Sequence, residues 1–268
     1  MRYQSVTLTL VALLAITTAA VAEDENFQPI DELFQTETVF PQEQGEIGIR
    51  ASPRSAKSAA GRSFELGLAA EYGFTDAFQA EIEWTPWMHI DPEDGGSDSG
   101  QGNVSLALKY SWMDIGQTGF NVALSVEHEF ATGDGLELGG AGETASDDDG
   151  DAGKAKTTEE DDNDDSTEVA IMLAKDLDSF AEKQIFAQFG VEFESGDQNP
   201  FANLGFYATG RHLVYSMEFN WSEEERYITP GVTWRPQKGW ELGLGVALGI
   251  SDEADDYRLI GKIIKEFD

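Results

Sequence analysis

The chain contains no cysteine and only three histidines, and after its first residues it has no long apolar run. Without cysteine there are no disulfides and no thiolate metal or redox site. No stretch after Ala22 reaches the roughly 18 consecutive apolar residues that a transmembrane helix needs. Only helices and closed barrels satisfy every backbone group in lipid, so any membrane-spanning form of this chain is a β-barrel. Basic residues are also scarce, with 17 Lys+Arg against 51 Asp+Glu and a formal net charge of −34. Such a surface repels nucleic acid, which is excluded as a partner, and suits cations or a salty medium.

What is present begins with "MRYQSVTLTLVALLAITTAAVAEDE". One positive charge at Arg2, an apolar core from Val6 to Ile16 and small residues at Ala20 and Ala22 form a secretory signal peptide over residues 1–22. Its apolar core is too short to span a bilayer. Cleavage after Ala22 removes Arg2 and takes the formal charge from −34 to −35. Residues 23–44 have little regular pattern, and are expected either to remain in the periplasm or to enter the lumen.

From Gly45 onward the dominant signal has period two. In "GWELGLGVALGIS", Trp240, Leu242, Leu244, Val246, Leu248 and Ile250 alternate with Glu241, Gly243, Gly245, Ala247 and Gly249. The glycines do not make a dinucleotide fingerprint. The third falls at Gly249, one position late, and the required helix and acidic residue do not follow. The same alternation recurs about twelve times, which predicts an all-β fold, an antiparallel transmembrane barrel of about 12 strands over residues 45–268. An even strand number suits a single-chain outer-membrane barrel. With the first strand running outward, the outer loops fall at 53–61, 89–101, 131–166, 195–200, 222–226 and 251–256. The inner turns fall at 75–76, 113–118, 176–184, 210–212 and 236–239.

The second face of these strands is polar. It carries Glu65, Glu71, Glu81, Glu83, Glu127, Glu129, Glu192 and Glu218, with Arg50, Lys109 and Arg235 as its chief bases. Unpaired charges cannot pack a dry core, so these residues are expected to line a wet or well-paired lumen. Gly243, Gly245 and Gly249 leave room on one lumen wall, for curvature or for an inserted segment. Trp84, Trp87, Trp112, Trp221, Trp234 and Trp240 fall at or near strand ends and form the expected aromatic girdles.

Chemical signatures are sparse. The insertion from Asp147 to Asp165 holds 10 acidic residues in 19, but a calcium loop beginning at Asp147 would need glycine where Ala152 stands and glutamate where Thr158 stands. It reads as a solvated outer loop, with divalent-cation capture as the alternative. Lipid-facing hydrolysis would need serine within reach of histidine. His128 has Val126 and Phe130 as same-face neighbours, and His89 and His212 fall in a loop and a turn. No enzyme activity and no cofactor are expected.

"TETVFPQEQGEIGIR", "YITPGVTWRP", "WELGLGVALGIS" and "DDYRLIGKIIKEFD" resemble the outer-membrane barrels associated with the MetA pathway of phenol degradation, over Thr36 to Asp268. The resemblance implies an outer-membrane channel for aromatic or hydrophobic compounds and transfers no catalytic residue. Asp268 after Phe267 departs from the terminal aromatic that the barrel-assembly machinery usually reads. The expectation is a channel in the outer membrane of a Gram-negative bacterium, passing small solutes with a bias toward cations or neutral and aromatic molecules. Membrane lipid and the assembly machinery are its expected partners. The alternative is a closed structural or adhesive barrel whose acidic outer loop binds divalent cations or partners.

Overall fold

A computed structural model of the protein describes residues 30, 32–93, 95–136, 164–177, 182–210 and 212–267. The expected signal peptide and most of the acidic insertion lie outside these residues, as does Asp268. The strands are β1 (Ile47–Lys57), β2 (Gly61–Thr75), β3 (Phe78–Pro92), β4 (Asp98–Gly100), β5 (Val104–Trp112), β6 (Phe120–Phe130) and β7 (Ser166–Asp176). They continue as β8 (Lys183–Glu194), β9 (Asp197–Thr209), β10 (Leu213–Trp221), β11 (Arg226–Trp234), β12 (Trp240–Gly249) and β13 (Tyr257–Phe267).

Every long strand pairs antiparallel with its sequence neighbours, and β1 closes the sheet on β13, with Ile47 opposite Phe267 and Lys57 opposite Tyr257. The result is a closed barrel of twelve long strands, with β4 a short addition to β3. Each long strand has nine to fifteen residues, enough to cross a bilayer at a tilt. Among the described residues no helix is long and apolar enough to cross a membrane.

Alternation sets the two faces. Along β10, Val214, Ser216, Glu218 and Asn220 are buried, whereas Leu213, Tyr215 and Phe219 are exposed. Leu244, on β12, is 57% exposed while Ala247 is fully buried. A barrel with its large apolar side chains outside and its carboxylates inside is inverted relative to a water-soluble one, and lipid is the environment that suits it.

Several connections are tighter than the sequence suggested. The β8–β9 link expected at 195–200 is a two-residue turn, because Ser195 (φ 49°) and Gly196 (φ 94°) adopt the positive angles of a type I′ hairpin. The expected loop at 53–61 narrows to 58–60, since β1 and β2 pair up to Lys57 and Arg62. Within 89–101, β3 runs on to Pro92 and β4 pairs against it, so His89 is a strand residue and not a loop residue.

Candidate functional site in the barrel lumen

The lumen is occupied from the end at which β1 begins and β13 finishes, the terminal end. The segment from Ile30 to Gly45 enters beside the β2–β3 turn, where Gln44 N–H donates to Asp76 and Gly45 N–H to the Gly73 carbonyl. It crosses the interior and doubles back through a bridge between Glu32 and Glu37. Ile30, Leu33, Val39 and Phe40 bury their side chains with Ala123, Met172, Phe186 and Val214 of the wall. This segment contacts strands around the whole circumference, so it sits inside the barrel.

Its seat is built by β10 to β13. The Glu218 carboxylate accepts the backbone N–H groups of Phe34 (3.1 Å) and Gln35 (3.0 Å). Phe34 lies over Gly231, Gly243 and Gly245, where a Cβ on Gly245 would come within 2.7 Å of the ring. The glycines of β11 and β12 thus form a notch for an inserted ring. Gly249 has a different neighbour, the Asp255 backbone. Gln35 Nε2 donates to Thr229 Oγ1 (2.8 Å), and Asn220 Nδ2 donates to Thr36 Oγ1 (3.1 Å).

Opposite charges fasten the other side. Arg50 pairs with Glu81 (2.7 Å), Glu83 (2.5 Å) and Glu32 of the inserted segment. Lys109 faces Glu37 at 3.6 Å, and Lys262 donates to the Glu32 carbonyl (2.6 Å) while standing 3.4 Å from Glu241. Glu71 accepts from both Gln42 and Gln79 at 3.3 Å. Removing one partner from such a buried pair costs about 3–5 kcal/mol, because the other charge is left stranded.

Beyond this segment the lumen opens as a cup toward the far end. Along β6 the wall passes from Asn121, Ala123 and Ser125, all buried, to Glu127 and Glu129, both partly exposed. Register sets Glu127 opposite Glu168 and Glu168 opposite Glu192, a row of three carboxylates across β6, β7 and β8. Glu129 accepts from Asn103 (2.8 Å), and Glu65 pairs with Arg54 (2.8 Å). Arg235 pairs with Glu241 at 2.7 Å nearer the terminal end. Among the described residues no group of three or more His, Asp or Glu is arranged to hold a metal ion.

Trp87 and Trp221 lie toward the cup end of their strands and Trp112, Trp234 and Trp240 at the terminal end, whereas Trp84 sits at the middle of β3 and not near a strand end as expected, because β3 runs on to Pro92. His128 Nδ1 is 2.9 Å from Thr167 Oγ1. His89 Nδ1 is 2.7 Å from Ser99 Oγ, a serine–histidine contact that the reading of His89 as a loop residue did not anticipate. Sequence reading missed the inserted contacts of Glu32, Phe34, Gln35 and Glu37, and the place of Glu168 in the acidic row. The alternation of β7 is a signal that could have found Glu168.

The closed sheet and the polar, occupied lumen define a twelve-stranded β-barrel of the outer-membrane type. Solved structures with the same architecture include an outer membrane channel from Pseudomonas putida F1, at 13% identity over 85% of this chain and 98% of that one, with a TM-score of 0.58. The KdgM porin matches at 9% identity over 83% and 99% of the two chains (TM-score 0.54), and the NanC porin at 8% over 83% and 99% (TM-score 0.50). These likenesses establish the fold. No protein-family model and no curated protein matches the chain.

Proposed function

We propose that the protein is an outer-membrane channel for small solutes, exported by its cleaved signal peptide and inserted with both termini in the periplasm. In this reading the short turns face the periplasm, the acidic cup opens to the outside, and the inserted segment narrows the passage. The observation that carries the proposal is the wall itself, a closed sheet with a lipid-suited exterior and a charged interior that is partly exposed above the segment. Excess negative charge along such a passage lowers the energy of cations and raises that of anions. The preferred solutes are therefore cations or neutral molecules. Aromatic compounds fit the resemblance to barrels of the MetA pathway of phenol degradation, and we place the chain with that family on the same basis.

The test is single-channel conductance of the refolded mature protein in a planar bilayer under a salt gradient, beside a variant lacking residues 23–44. Small steps from the full protein, larger steps from the variant and a cation-selective reversal potential in both support the channel. If neither inserted form conducts, the barrel is closed, and its role lies in structure or in its outer loops.

A further inference from the structure

On the lumen face of β6, β7 and β8 the wall changes character twice. The cup ends at the row of Glu127, Glu168 and Glu192. Below it the lumen positions of β7 are Ala170, Met172 and Ala174, all buried, and a polar side chain returns at Asp176. There Asp176 accepts from Asn121 (3.2 Å) and Gln184 (2.7 Å). From Glu168 to Asp176 the strand covers about 20 Å of height at the usual rise and tilt of barrel strands. Register sets Ala123 opposite Met172 and Phe186 opposite Ala174, so the apolar zone spans three strands. Leu33, Val39 and Phe40 of the inserted segment are buried in the same cluster, which makes an apolar seal between segment and wall.

Elsewhere the segment is fastened differently. Its hydrogen bonds and ion pairs run to Arg50 on β1, Glu71 on β2, Gln79 on β3 and Lys109 on β5. They continue to Glu218 on β10, Thr229 on β11 and Lys262 on β13. Parting the segment from these strands would strand buried polar and charged partners. The seal is held by apolar contact, which is non-directional and is restored when an apolar surface slides between its two sides. An ion entering the seal would lose its water and gain no partner. A hydrophobic constriction of this kind holds ions back by excluding water.

We infer that solutes pass the inserted segment on its β6–β8 side, and that Met172 and Phe186, with Leu33 and Phe40 of the segment, set the specificity there. Neutral molecules with an apolar body pass, and ions are held back. The acidic cup decides the sign of the small ion current that leaks through; the seal decides its size. The inference deepens the channel reading, on which it rests, by naming the residues that choose among its solutes.

The test compares the full mature protein with Met172→Gln, which makes the seal polar at nearly constant volume, and Met172→Leu, which keeps it apolar. In planar bilayers Met172→Gln is expected to raise single-channel conductance at least threefold and Met172→Leu to leave it unchanged. Limited proteolysis should find residues 30–44 equally protected in all three. Proteoliposomes of the native protein should swell faster in phenyl glucoside than in the smaller glucose, and those of Met172→Gln should reverse that order. Unchanged conductance in Met172→Gln, or an equal rise in Met172→Leu, overturns the inference. So does a rise accompanied by faster cleavage of residues 30–44, because release of the segment would then carry the current. The variant lacking residues 23–44 separates the two readings. If it conducts while Met172→Gln stays at the native level, the seal alone is rejected; if no form conducts, the channel is rejected and the seal with it.

Discussion

Leu244 and Gly245 are adjacent in the chain, yet one faces outward and the other touches the inserted Phe34. Leu244→Arg should therefore cost about 2–4 kcal/mol in equilibrium unfolding from bilayers if this part of β12 lies near the midplane. Gly245→Val should leave insertion intact but drive the Phe34 ring from its notch, which limited proteolysis of residues 30–44 would report as faster cleavage. Glu218 makes the complementary prediction. Glu218→Ala leaves the buried amides of Phe34 and Gln35 without an acceptor, at about 1–3 kcal/mol for each unpaired group. The same increase in cleavage is expected, with barrel melting changed much less than segment release. Equal protease protection in the native and variant proteins would mean that Glu218 does not hold the segment.

At the scale of elements, hairpin geometry and segment docking are independent. The β8–β9 turn needs positive φ at two residues, and Gly196 supplies one at no steric cost. Gly196→Val should destabilise the barrel by about 1–2 kcal/mol, the usual penalty for a left-handed L-residue. Since this turn lies at the cup end, away from the inserted segment, protease protection of residues 30–44 should not change. The inserted segment is a different kind of element, with little regular pairing of its own beyond the Glu32–Glu37 bridge. It is ordered by the wall, through Arg50, Lys109, Glu218 and Lys262.

At the scale of the molecule, charge is unevenly placed. Arg50, Lys109 and Lys262 stand where the segment docks, and Glu127, Glu168 and Glu192 form an acidic row in the cup above it. The cation preference of the channel should therefore depend on salt. Screening shortens from roughly 10 Å at 0.1 M to 3 Å at 1 M, so the cation-to-anion permeability ratio measured by reversal potential should fall over that range. A ratio independent of salt would place selectivity in the buried pairs around the segment instead of in the cup.

The amino-acid sequence by itself determined the barrel, because a period-two pattern repeated twelve times assigns each side chain to one of two faces and lipid rewards only one assignment. It also marked Arg50, Glu81, Lys109 and Glu218 as polar-face residues, since each sits out of phase with the apolar set. Only the tertiary structure decided what those residues do. Glu218 and Phe34 are 184 positions apart, and no local pattern relates a carboxylate on β10 to an amide in an irregular segment. The notch of Gly231, Gly243 and Gly245 was legible as space, but its occupant was not. The cup's row of Glu127, Glu168 and Glu192 likewise depends on register across a long insertion. Periodicity reports which way a side chain points; closure of the sheet alone sets what it meets there.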